Sequence, residues 1–157
     1  MKKINIGSRV FFGEMPDYQE NDCDVLFILD QWPEEITDTR FSCRKEKCDL
    51  FFMKEQTKEQ YINDILQVEK VHASRVCFFL VPEIAQLIKL TIDDLKRVEP
   101  IVAMLKDTRH AWYYTLYESY IENDGFFLTD AQREKAYEEF KSARAGRRQW
   151  NQNRIIR

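Results

Sequence analysis

Residues 22–29 read Asp22-Cys23-Asp24-Val25-Leu26-Phe27-Ile28-Leu29, two acids around a cysteine followed by an unbroken apolar run. Aliphatic and aromatic side chains of this kind suit a pleated surface, so the stretch is predicted to be a strand. Successive side chains of a strand point to opposite faces, which sets Asp22 and Asp24 on one face and Cys23, Val25 and Phe27 on the other. Upstream, Ile4 and Ile6 form the apolar face of a short strand that Gly7 stops. Downstream, Lys47 to Met53 and Phe41 to Arg44 are two further strand candidates. From about Thr57 the period changes: Tyr61, Ile62, Ile65 and Leu66 recur at helical spacing behind Thr57 and Gln60, a capping-box pair.

The expected class is therefore α+β, with a sheet region over 1–56 and a mainly helical region over 57–157 packed as one compact unit. Thr91 with Asp94 and Thr129 with Gln132 mark two more helix starts, and Pro82 and Pro100 suit first-turn positions because proline lacks the amide donor. Four to six helices are expected after residue 56. The run Val76 to Val81 is read as a buried strand returning to the sheet, and Gly125 as the left-handed residue ending the helix that carries Trp112, Tyr113, Leu116, Tyr117 and Tyr120.

Composition narrows the classes. Hydrophobic residues are 44% of the 157, with only four Gly and four Pro, which excludes a disordered chain. The net charge of -3 excludes a uniformly basic nucleic-acid wrapper. The apolar run 76–81 is far shorter than the roughly 20 residues a membrane span needs, and the polar residues after Lys2 and Lys3 do not make a secretory signal. A cytoplasmic protein with no membrane partner is expected. Its four cysteines are read as reduced structural thiols, because Cys43 and Cys48 lack further ligands at zinc-site spacing.

Charge is uneven along the chain. Glu14 to Asp38 holds nine acids and no base, whereas Lys141 to Arg157 holds six bases and no acid. Lys141, Arg144, Arg147, Arg148, Arg154 and Arg157 are read as a solvated helix end, a nucleic-acid contact being the alternative. Within the acidic window, Asp22 and Asp24 side by side repel one another unless a cation or proton sits between them, and hard oxygen ligands suit Mg²⁺. An Asp-x-Asp on a half-exposed strand is also compatible with plain solvation.

Ile6, Gly7 and Ser8 give the pair a context, with 13 residues from Arg9 to Asn21 before Asp22. An apolar residue, Gly, then Gly or Ser, followed after a spacer by Asp, an apolar residue, an acid and an apolar residue, resembles the signature of the DNA polymerase β-like nucleotidyltransferase superfamily, and Ile6, Gly7, Ser8, Asp22, Cys23, Asp24 and Val25 fill its positions. The resemblance covers roughly residues 4 to 53 and implies a small mixed sheet, two Mg²⁺ ions (or Mn²⁺), and transfer of a nucleoside monophosphate from a nucleoside triphosphate to an acceptor, with release of pyrophosphate. It implies that Asp22 and Asp24 hold both metals and that a third carboxylate on a later strand, for which Asp49 is the best candidate, completes the acceptor-side metal and helps deprotonate the acceptor. Gly7 would let the backbone approach a polyphosphate, Ser8 would donate to it, and Arg9 would supply charge. The spacer from Arg9 to Asn21 does not read as a helix. The acceptor is open: protein, nucleic acid or small molecule. An inactive nucleotide-binding module of the same fold and a nucleic-acid-binding protein using the basic tail are the competing classes. Lys106 or Arg109 could hold phosphate, but the aromatic stripe from Trp112 to Tyr120 is read as core, and His110 is given no catalytic role.

Overall fold

Two isoleucines at alternate positions decide the first element. In β1 (Lys2–Ile6), Ile4 and Ile6 are buried while Lys3 and Asn5 are exposed, the alternation of a strand with one covered face. The computed structural model describes residues 1–19 and 23–156, with side chains through residue 145. After β1 a single helical turn, α1 (Ser8–Phe12), leads through a loop to β2 (Cys23–Leu29). The spacer that the sequence left without a helix thus begins with one. It is too short to show a helical period, and burial of Phe11 and Phe12 holds it in place.

β3 (Arg40–Lys45) and β4 (Cys48–Lys54) form a hairpin, and the four strands lie in the order β1-β2-β4-β3. β1 runs antiparallel to β2, β2 parallel to β4, and β3 antiparallel to β4, so the sheet is mixed. Leu26 and Ile28 share a face with Ile4, Ile6 and Met53, and all five belong to the apolar core built with the helices. Asp24 is on that same helix-facing side, at its end.

The helical region comprises α2 (Lys58–Leu66), α3 (Ala73–Val76), α4 (Pro82–Leu87), α5 (Ile92–Arg97), α6 (Glu99–Ala103), α7 (Ala111–Asn123) and α8 (Asp130–Ile156), with 3₁₀ turns at Lys70–His72 and Cys77–Leu80. Among the described residues these are seven α-helices, more than the four to six expected, because several are little more than one turn and carry no periodic signal. Thr57 and Thr91 make capping boxes with Gln60 and Asp94, Thr129 and Gln132 bond reciprocally ahead of α8, and Pro82 and Pro100 sit in first turns.

Three further expectations are corrected. Val76 to Val81 is not a strand: it ends α3 and forms a 3₁₀ turn buried on all sides, a setting in which a continuous apolar run carries no period. Asp124, not Gly125, takes the left-handed conformation after α7 (φ 49°), while the Gly125 amide donates to the Tyr120 carbonyl. Finally, Cys23 and Cys48 are not reduced thiols. They are register partners on parallel β2 and β4, 4.6 Å apart at Cα, and are joined by a disulfide. Cys43 and Cys77 are free, and burial pushes the Cys77 thiol up. Among the described residues no helix is long and apolar enough to cross a membrane.

Candidate active site

Apolar along most of its length, the helix-facing side of the sheet turns polar at one end. There Ile6, Asp24, Asp49 and Arg44 form a row across β1, β2, β4 and β3. Asp24 and Asp49 are direct neighbours on parallel strands, whose axes lie roughly 4.8 Å apart, so their side chains leave the sheet on the same side. Arg44 donates to the Asp49 carboxylate at 3.0 Å, which gives this acid, otherwise in line with Phe51 and Met53, a compensating charge. Asp22, the other half of the Asp-x-Asp pair, lies outside the described residues.

Gly7 closes the row at the end of β1. Its backbone has φ 85° and ψ −171°, a conformation that L side chains rarely adopt. A Cβ there would collide with Asp24 Oδ2 and stand 3.0 Å from its Cγ. The sequence thus carries glycine at this position because the main chain presses against a carboxylate. The Ser8 hydroxyl lies 2.8 Å from the Tyr18 hydroxyl. Arg9 is exposed on α1 and does not line the cleft described below.

The helices bring charge to the open side of this turn. Phe12 packs against Trp112, Tyr137 and Phe140, with ring centroids 5.3, 5.2 and 5.4 Å away, and so docks α1 between α7 and α8. Tyr137 donates to Asp17 at 2.6 Å and Lys141 at 3.1 Å, and these bonds hold the Asp17 carboxyl below its ordinary range. One turn further along α8, Arg144 reaches a cleft of about 180 Å³ that Gly7, Ser8 and Asp24 line from the sheet side. Arg109 and His110, just before α7, line it too, with the Arg109 Nε donating to His110 Nε2 at 3.3 Å. Burial pushes the Tyr113 phenol up, and the Asp24 carboxylate acts in the same direction, so Tyr113 stays neutral. The cleft is below the roughly 300–1,000 Å³ of sites that enclose a drug-sized ligand. Its size suits a phosphate group rather than a whole nucleotide.

Arg109, which the sequence offered as a possible phosphate holder, lines the cleft together with His110 and Arg144, which it left without a role there, since only the docking of α7 and α8 against Phe12 brings them to Gly7. The core assignment of the aromatic stripe agrees with the burial of Trp112, Tyr117 and Tyr120. Of the basic tail, Lys141 is committed to Asp17 and Glu138, and the side chains of Arg147, Arg148, Arg154 and Arg157 lie outside the described residues.

No family model matches this chain, and no curated protein or solved structure matches it.

The donor chemistry fits a hard divalent cation: Asp24 and Asp49 offer carboxylate oxygens on one face of adjacent strands. Among the described residues no group of three His, Cys, Asp or Glu converges as a metal site, and Asp22 lies outside them.

Proposed function

We propose that this chain is a metal-dependent nucleotidyltransferase that moves a nucleoside monophosphate from a nucleoside triphosphate to an acceptor. The observation that carries the reading is the contact of the Gly7 turn with Asp24, beside Asp49 in register. A close-approach glycine, a hydroxyl and two aligned carboxylates are the features a triphosphate site needs, and chance gives no reason for them to meet at one sheet end.

In this reading the Gly7–Ser8 turn and the cations Arg109 and Arg144 bind the triphosphate oxygens and orient the α-phosphorus toward Asp49. Mg²⁺ held by Asp24 and Asp49, with Asp22, would neutralise the carboxylates and stabilise the attacking and leaving oxygens. An acceptor oxygen forms a bond to the α-phosphorus, the bond from that phosphorus to the β-bridging oxygen breaks, and pyrophosphate leaves with the electron pair. The acceptor's proton passes to Asp49 once this acid exchanges its contact with Arg44. Tyr113, kept neutral by burial, adds no negative charge beside Asp24.

The Arg44–Asp49 ion pair favours a second reading, a module that binds nucleotide without transferring it, because a carboxylate neutralised by arginine is a poor metal ligand and base. Calorimetric titration of a nucleoside triphosphate panel with and without Mg²⁺ tests both. Binding that requires Mg²⁺ and is lost in Asp24→Asn supports the site, and pyrophosphate release separates the transferase from the binding module. Absence of binding to folded wild type, or binding unchanged in Asp24→Asn, refutes both, and metal-independent binding refutes the transferase alone.

A further inference from the structure

A second cavity, of about 280 Å³, opens between the edge strand β3 and the segment 70–78. Arg40, Ser42 and Phe51 line it from the sheet, and His72, Arg75 and Phe78 from the helical side. Phe51 is two residues beyond Asp49 on β4, and Ser42 two residues beyond Arg44 on β3, both on the face of the carboxylate row. At about 3.3 Å per residue, the cavity begins roughly 7 Å along the sheet from Asp49. The two sites are neighbours on one surface, the smaller cleft at Asp24 and the larger at the Asp49 side.

Its chemistry is asymmetric. Arg40, His72 and Arg75 have no side-chain hydrogen bond or ion pair among the described residues, and Asp38 is the one carboxylate in the lining. Two guanidinium groups facing a cavity with phenylalanine walls suit a ligand that joins an anion to a flat ring. The planar fork of arginine matches phosphate oxygens, and the apolar wall accepts the ring.

We propose that this cavity is the acceptor site and that the acceptor is a small ring-bearing phosphate monoester, its phosphate held by Arg40 and Arg75 and its ring against Phe51 and Phe78. The inference rests on the nucleotidyltransferase reading of Asp24 and Asp49. The ligand enters at the β3 edge with its hydroxyl directed along the sheet toward Asp49, and the transfer is the step balanced above.

The test is calorimetric titration of phenyl phosphate, with inorganic phosphate and benzyl alcohol as the anion and ring controls. Wild type, Arg40→Ala/Arg75→Ala, Arg75→Lys and Asp24→Asn are compared. Phenyl phosphate is expected to bind more tightly than either control, to weaken tenfold or more in the double variant, to recover in part in Arg75→Lys, and to bind Asp24→Asn unchanged. Absence of binding to folded wild type, equal affinity in the double variant, or loss confined to Asp24→Asn overturns the cavity assignment while leaving the triphosphate site standing. If phenyl phosphate behaves as expected but wild type binds no triphosphate with Mg²⁺, the nucleotidyltransferase reading fails, and the acceptor role fails with it.

Discussion

Replacing Gly7 by alanine perturbs the turn whose main chain presses against the Asp24 carboxylate. Two costs follow from the geometry. The backbone at φ 85° and ψ −171° lies in a region left essentially to glycine, and holding alanine there costs about 1–3 kcal/mol. The new Cβ also meets Asp24, colliding with Oδ2 and lying 3.0 Å from Cγ and 3.1 Å from Cβ, which adds on the order of 1 kcal/mol as the side chain or turn shifts. Gly7→Ala is therefore expected to lower stability by about 2–4 kcal/mol in urea denaturation, with the denaturant slope unchanged. A double-mutant cycle separates the costs. In an Asp24→Ala background the contacts with Oδ2 and Cγ vanish and the backbone strain stays, so the two sites should couple by on the order of 1 kcal/mol. Because the displaced carboxylate is the proposed metal ligand, magnesium-dependent triphosphate binding should weaken in Gly7→Ala even where the variant is fully folded. A variant within 0.5 kcal/mol of wild type, or a cycle with no coupling, would refute the close approach of Gly7 to Asp24 on which the proposed site depends.

Two further outcomes test the frame around the site. The Cys23–Cys48 disulfide closes a sequence separation of 25 residues, and loop-closure entropy puts its contribution at about 3.5 kcal/mol. Cys23→Ser/Cys48→Ser should lose stability of that order under non-reducing conditions, and peptide mapping should find the pair linked; both cysteines alkylating as free thiols would contradict it. At the start of α5, Asp94 accepts from the Thr91 amide at 3.0 Å and pairs with Lys58 at 2.9 Å. Burial alone would raise its pKa, but the hydrogen bonds from Lys58 and Thr91 outweigh it and the pKa is lowered. A folded-state pKa below the unfolded one means that the contribution is complete above the unfolded value and is lost as pH falls through the folded one. Asp94→Ala should thus cost about 1–2 kcal/mol at pH 7, and its difference from wild type should shrink in acid. A constant difference across that range, followed by urea titration, would show that Asp94 acts other than as a carboxylate.

What the sequence alone determined are the features written into neighbouring residues. The strands around Ile4, Asp24, Phe41 and Phe51 follow from local side-chain character, and the Thr57, Thr91 and Thr129 helix starts from hydrogen bonds between residues three apart. Gly7, Asp24 and Asp49 could be singled out because each is unusual where it stands, a glycine ending an apolar strand or an acid inside or beside one, and Ser8 because it follows Gly7 in the motif. Tertiary structure alone decided what depends on register and docking. That Cys23 meets Cys48 follows from the parallel pairing of β2 with β4, which no spacing encodes. Arg44 opposes Asp49 for the same kind of reason, through the β3–β4 register. Val76 to Val81 illustrates the limit from the other side, since a segment buried all round has no exposed face to give it a period. Arg144 reaches the cleft because Phe12, Trp112 and Phe140 pack α1, α7 and α8 together, and a contact spanning more than 130 residues leaves no trace in the local pattern of either segment. Local propensity acts through the chain's own neighbours, whereas the site is assembled by burial of apolar surface among distant ones.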